Sequence, residues 1–275
     1  MQAAQTKPDI APDSSSLWRV LCDGPGYFLL LTFAALSLRL FFYFRFPHVT
    51  GDTLVYGDIA KNWLDHGIFG LTHSSGVRPT LIRLPGYPAF LALCFVLFGK
   101  EHYNAVLLVQ IVVDVVTCFV VVDLARRTVS VRAARIAFLL AALCPFTANY
   151  TAAPLAETLS VFCVAVALDA AAAALIRVEQ GSPAWRPWIG CGAAIACGIL
   201  LRPDGGILLV ALGLYLVWNM WRSPAERAQV FWAGALVLAI SLAPLAPWTI
   251  RNWREFHRFQ PLVPQSASDP DEFVP

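Results

Sequence analysis

Long apolar runs recur along the chain at about 26–46, 104–125, 132–151, 154–177, 186–201, 203–221 and 229–250. Runs of about 18 or more apolar residues are long enough to cross a bilayer core as helices. The 275 residues are 58% hydrophobic and only 14% charged, against about 25% charged in a soluble domain. The reading is an all-α polytopic membrane protein. The net charge of +2 adds little, because the distribution of charge over the loops sets orientation. The first 25 residues are polar and contain Pro and Ser, with no cleavable signal pattern.

One further apolar piece, Ala89 to Phe98, is too short to span roughly 30 Å at 1.5 Å per residue. Loop charge tests its placement. If it lies in the interface, there are seven spans and the arginines alternate cleanly. Arg126, Arg127, Arg132, Arg135, Arg177, Arg186, Arg222 and Arg227 then share one side, which the positive-inside rule makes cytoplasmic. If it spanned, the first arginine cluster would fall outside. The expected layout is therefore a cytoplasmic tail over 1–25, a first span over 26–46 and an external loop over 47–103. Six further spans cover 104–250, and an external segment covers 251–275. Gly190, Ala194 and Gly198 offer a small face for helix contact, and Pro244 and Pro247 should kink the last span.

The external loop holds a polar island. Asp52, Tyr56, Ala60 and Leu64 recur every four residues up to Gly67, which reads as an amphipathic helix anchored by Trp63 at the interface. Asp58, Lys61, Asn62 and Asp65 fall off that apolar face. Arg83-Leu84-Pro85-Gly86-Tyr87-Pro88 then starts a second surface helix. An arginine fork there suits a lipid phosphate, or it is a snorkelling anchor. Asp52 alone is equally a helix N-cap.

Glu157 lies just inside the end of its span, where a carboxylate is a candidate for function or a first-turn acid. Arg202-Pro203-Asp204 reads as a loop pair or a second cation for the site. On the seven-span topology Asp52, Arg83, Glu157 and Arg202 all fall on one face at similar depth. Arg39 could snorkel outward, Asp114 faces the bundle interior without an evident local partner, and Asp169 lies near Arg177. The seven cysteines form no CxxC pair, and those in apolar runs read as packing residues. His48, His66, His73, His102 and His257 have no ligand spacing. No P-loop, GxSxG, HExxH or nucleic-acid signature is present.

Five segments occur in order: Gly51-Asp52-x3-Tyr56-x3-Ala60-x3-Leu64-x2-Gly67; Arg83 to Pro88; Ala156-Glu157-Thr158-Leu159; Leu201-Arg202-Pro203; and Ala246 to Trp253. Together they resemble the GT-C membrane glycosyltransferases, specifically glycosyltransferase family 39. That group includes protein O-mannosyltransferases and, by similarity, the aminoarabinose transferases of lipid A. The resemblance implies a GT-C-type helical bundle of about seven transmembrane helices, with two interfacial helices in the first external loop. It implies an inverting transfer from a polyprenyl-phosphate-linked sugar to an acceptor hydroxyl on a protein, lipid or glycan. Asp52 matches the family's catalytic base. Arg83 and Arg202 would bind the donor phosphate, and Tyr56, Tyr87 and Glu157 the substrate. No cofactor and no divalent metal are expected, since one acid makes a poor Mg²⁺ site.

The implied location is a bacterial inner membrane with the site facing outward. Two departures are present. No second acid follows Asp52, and the chain stops soon after the seventh span, where family members usually continue; it is expected to be an N-terminal portion. Rival readings are a transporter, which would more often show internal repeats, a lipid-binding scaffold, and an inactive fragment of such a transferase.

Overall fold

A computed structural model describes residues 24–49, 51–222 and 227–263; Cys22, with most of the expected N-terminal segment, and residues 264–275 of the expected C-terminal one lie outside them. The described residues form helices, their connecting turns and one small hairpin. In order, α1 is Pro25–Arg45, α2 Gly51–His66, β1 Gly70–His73, β2 Gly76–Pro79, α3 Gly86–Phe98, α4 Tyr103–Thr128, α5 Val131–Ala142 and α6 Pro145–Tyr150. Then follow α7 Glu157–Glu179, α8 Trp185–Leu201, a 3-10 turn Pro203–Gly205, α9 Gly206–Arg222, α10 Arg227–Leu242 and α11 Leu245–Phe256.

Among the described residues, five helical stretches are long and apolar enough to cross a membrane: Pro25–Arg45, Tyr103–Thr128, Glu157–Glu179, Pro203–Arg222 and Arg227–Phe256. The protein is an all-α integral membrane protein. The expected run at 186–201 is α8, whose 17 residues span about 26 Å. The run expected at 132–151 is not one helix. It breaks between α5 and α6 at Leu143-Cys144, because Pro145 cannot continue the i→i−4 ladder and disfavours helical geometry at Cys144. The last run bends as expected, at Ala243-Pro244, with Pro244 capping α11.

The break in α5–α6 strands carbonyls where lipid offers no donor. Arg39 supplies them. Its NH1 donates to Ala142 O at 2.6 Å and its NH2 to Ala141 O at 3.2 Å. NH1 also reaches Ala35 O, NH2 reaches Cys118 Sγ, and Nε donates to Asp114 Oδ2 at 2.6 Å. All five guanidinium N–H groups are used. Arg39 therefore does not snorkel: it is fully buried, one turn beyond Ala35 and two beyond Leu31 on the packed face of α1. Asp114 does face the interior, and Arg39 is its partner. Asp169 pairs with Arg127 at 2.9 Å rather than with Arg177.

In lipid the bundle is held by close packing rather than by water exclusion. A Cβ built on Gly190 would sit 3.9 Å from Ala170 Cβ, and one on Gly198 3.7 Å from Cys163 Cβ, so the small face of α8 packs on α7 as expected. The described cysteines are all free, and Cys94, Cys118, Cys163 and Cys191 are buried packing residues.

The segment between α1 and α4 is more structured than a pair of surface helices. α2 ends at Gly67, whose φ of +69° is the left-handed geometry that a C-terminal glycine supplies cheaply. β1 and β2 pair antiparallel across Ser74-Ser75, with Leu71 opposite Arg78. The hairpin covers what looked like the solvated face of α2. Asp58 and Asn62 are buried: Asp58 Oδ2 accepts from Thr72 N at 2.7 Å, and Asn62 Nδ2 donates to Gly70 O at 3.2 Å. α2 is thus clasped between the hairpin and α3, with Ile59 and Ala60 fully buried. Lys61–Glu101, at 2.6 Å, and Lys100–Asp65 tie α2 to the α3–α4 loop.

Candidate functional site

Asp52, in the first turn of α2, faces Arg83, which precedes α3. Arg83 NH2 donates to Asp52 Oδ1 at 2.6 Å, and NH1 to Ile82 O at 3.0 Å. The Asp52 side chain is 61% exposed and that of Arg83 21%, so the carboxylate is the accessible member. Across the same cavity Arg202 NH1 donates to Glu157 Oε1 at 2.7 Å, and its Nε to Asp204 Oδ1 at 3.2 Å. Arg202 thus makes the expected local pair with Asp204 and also a long-range one with Glu157. Burial works against the Arg202 charge, but Asp204 and Glu157 more than offset it and its pKa is raised.

These two ion pairs line one cavity of about 280 Å³, with Tyr56 and Leu201 between them. Tyr56 lies among all four charges. Burial is the largest influence on its phenol and raises the pKa, with Arg83 opposing and Asp52 adding to the rise. The Arg83 guanidinium lies 5.5 Å from the Tyr56 ring centroid, a cation–π contact.

Tyr87, expected to touch substrate, is one layer down. It is fully buried, its ring meets the Tyr56 ring edge-on at 4.9 Å, and its hydroxyl donates to Gln110 Oε1 at 2.7 Å. Its aromatic ring is consumed in packing, so it supports Tyr56 rather than lining the cavity.

Two local features bring the halves together. Gly86 lies against the end of α8: a Cβ there would fall 2.6 Å from the Leu200 carbonyl. Only a glycine lets the Arg83–Pro88 turn abut the segment that carries Arg202. The loop before Glu157 is pinned through three consecutive carbonyls. His48 N donates to Ala152 O at 2.9 Å, Gln110 Nε2 to Ala153 O at 2.8 Å and Thr53 Oγ1 to Pro154 O at 3.2 Å. Gln110 therefore joins the Tyr87–Tyr56–Arg83 stack to the Glu157 loop. It is fully buried, and the only sequence sign of it is a lone polar residue inside the apolar stretch of α4.

A second cavity of about 280 Å³ shares Glu157 and Arg202 with the first. It passes between α6, α7 and α8 and reaches Asp114, with Phe146, Val161 and Val164 among its walls. The combined space has a charged mouth and an apolar interior. That suits a ligand with a polar head and a greasy tail. Among the described residues no cluster of three or more His, Cys, Asp or Glu is placed to hold a metal ion.

Residues 78–248 match the family described as dolichyl-phosphate-mannose-protein mannosyltransferase. No curated protein matches the chain.

Proposed function

The chain belongs to the dolichyl-phosphate-mannose-protein mannosyltransferase family, and is thereby a membrane glycosyltransferase of the GT-C type; from that premise we propose that the Asp52–Arg83–Glu157–Arg202 cavity transfers a sugar from a polyprenyl-phosphate donor to an acceptor hydroxyl. The acceptor oxygen attacks the anomeric carbon while Asp52 takes its proton. The bond from that carbon to the phosphate oxygen breaks, and its electron pair stays on the lipid phosphate. A phosphate is already a weak base, so no general acid is needed. A single displacement inverts the anomeric configuration. Asp52 then returns its proton to solvent.

The observation that supports this reading most is the convergence of four charged residues, from four separate segments, on one cavity around Tyr56. The resting pairs suggest an order of events. Arg83 holds Asp52, and Arg202 holds Glu157. A donor phosphate entering between the arginines competes for their N–H groups, since phosphate matches a guanidinium fork. Arg83 then turns to the phosphate, and Asp52 is released to act as base. Glu157 orients the sugar. The prenyl chain lies in the apolar cavity beyond Glu157, and the site opens away from the arginine-rich cytoplasmic loops, toward the outside of a bacterial inner membrane.

The test is turnover of a polyprenyl-phosphate sugar by membranes carrying the protein or its Asp52→Asn variant at equal abundance. Loss of about 10²–10⁴ in rate is expected for removal of a general base. Unchanged turnover in the variant, or a product of retained configuration, overturns the scheme.

A further inference from the structure

The largest of the cavities described, about 650 Å³, is not the one lined by the two ion pairs. It lies between the hairpin end of α2 and α11, and its walls include Trp63, Phe69, Trp248, Arg251 and Glu255. Pro85 and Leu200 form part of its wall, while their neighbours Leu84 and Leu201 line the ion-pair cavity. The two spaces thus lie on either side of the Leu84-Pro85 and Leu200-Leu201 segments.

The donors on this wall are not satisfied from within. Trp248 is 7% exposed, and its Nε1 is buried with no hydrogen-bond partner among the described residues. An unmet buried indole N–H carries a desolvation penalty that a bound acceptor would relieve. Arg251 donates through NH1 to Thr80 O at 2.9 Å and Asn252 Oδ1 at 3.0 Å, and through NH2 to Phe69 O at 2.7 Å. Those three bonds leave two of its five N–H groups without a partner among the described residues. The guanidinium also contacts the rings of Phe69 and Trp248, 5.3 and 5.2 Å from their centroids. At the rim stands the exposed carboxylate of Glu255.

This set of groups selects a ligand class. A lipid tail would leave the Trp248 and Arg251 donors unmet. A phosphate or other anion would meet them but would face Glu255. Hydroxyl groups accept from N–H and donate to a carboxylate, and the C–H face of a sugar ring packs against aromatic and proline rings.

We propose that this cavity is a saccharide-binding subsite, and that the acceptor of the transfer is a neutral glycan seated there. Only the word acceptor rests on the transferase reading; the binding does not.

The test is saturation-transfer NMR on the purified full chain in lipid nanodiscs. The probes are methyl glucoside, methyl mannoside and methyl arabinoside, with glucose 1-phosphate as the anionic comparison. The wild type and Asp52→Asn should bind at least one methyl glycoside equally, and glucose 1-phosphate more weakly. Trp248→Phe keeps a ring and removes the N–H, and Glu255→Gln changes an exposed group. Each should weaken glycoside binding about tenfold, as loss of one such hydrogen bond predicts.

Trp248→Phe should also leave the unliganded protein at least as stable as wild type, because it deletes an unpartnered buried donor. A residue serving only the fold would show the reverse. No glycoside binding by the wild type, binding indifferent to both variants, or preference for the phosphate overturns the subsite. If Asp52→Asn abolishes turnover while no glycoside binds, the subsite fails and the transferase reading stands. If glycosides bind as stated and Asp52→Asn leaves turnover unchanged, the subsite stands and the transferase reading fails.

Discussion

Arg39 Nε lies 2.6 Å from Asp114 Oδ2, and the two side chains are 0% and 4% exposed. The pair sits where α5 gives way to α6, and the same guanidinium satisfies the stranded carbonyls of Ala141 and Ala142. Its role is structural: it makes a broken helix tolerable inside a membrane.

Breaking the pair from one side should therefore cost far more than removing it whole. Arg39→Met leaves Asp114 uncompensated and Ala142 O without its Arg39 donor, while Ala141 O keeps a 3.4 Å bond from Cys144 N, and is expected to destabilise by about 3–5 kcal/mol. Arg39→Met with Asp114→Leu removes the unpaired charge and should recover much of that loss, though not the part due to Ala141 and Ala142. Thermal unfolding of the purified chains in one detergent measures both. Equal losses in the single and double variants would contradict this account.

Gln110→Leu should act at a distance. It removes the acceptor of the Tyr87 hydroxyl and the donor to Ala153 O. The Tyr87 hydroxyl left unmet costs about 1–3 kcal/mol, while Ala153 O keeps its bond from Leu155 N. The loop before Glu157 loses one of three tethers, so amide exchange over residues 152–157 should quicken and kcat should fall. Tyr87→Phe frees only one end of the bridge and should produce the smaller change. Hydrogen-exchange mass spectrometry on the two variants separates these outcomes.

Gly86→Ala should be poorly tolerated although alanine suits a helix. The new Cβ would lie 2.6 Å from backbone atoms of Leu200, which cannot move like a side-chain tip. Overpacking of this kind costs about 1–3 kcal/mol. It would also part Arg83 from Arg202, so donor KM should rise even where the variant folds. A variant with unchanged melting and unchanged KM would show that the contact is not needed.

The parts of this architecture that could be read from the chain are those written in local pattern. Five of the seven apolar runs became single helices, and the other two became helices broken before Pro145 and at Pro244. Asp52, Arg83, Glu157 and Arg202 were legible because each stands at a boundary where an apolar run meets a polar break. What escaped is what depends on distant partners. Arg39 and Asp114 are 75 residues apart, and nothing in either run indicates that they meet. Asp58 and Asn62 looked solvated because the hairpin that covers them has two four-residue strands, too short for alternation to register. Tyr87 lies in the same short motif as Arg83, yet its depth is decided by the Tyr56 ring above it and by Gln110 beside it.

The last prediction concerns the arginine nearest the base. Arg83 now divides its donors between Asp52 and Ile82 O while stacking on Tyr56. Arg83→Lys keeps the charge but loses the planar fork and much of the stacking. If Arg83 both binds the donor phosphate and restrains Asp52, lysine should weaken donor binding by about 1.5–3 kcal/mol, the worth of a hydrogen bond to a charged group. That is roughly a 10- to 150-fold rise in KM for the donor. kcat at saturating donor should fall much less, because Asp52 remains in place. Tyr56→Phe keeps the ring under Arg83 and removes the phenol. Its pKa is raised by burial, so the phenol is protonated below its ordinary value near 10 and any stability it lends is lost only as pH rises through the higher folded value. The pH–rate profile over about pH 6–9 should therefore keep its shape in Tyr56→Phe, because the phenol stays protonated throughout that range. Steady-state kinetics with varied donor, run across that pH range, tests both substitutions. A loss confined to kcat in Arg83→Lys would move Arg83 from phosphate binding to chemistry.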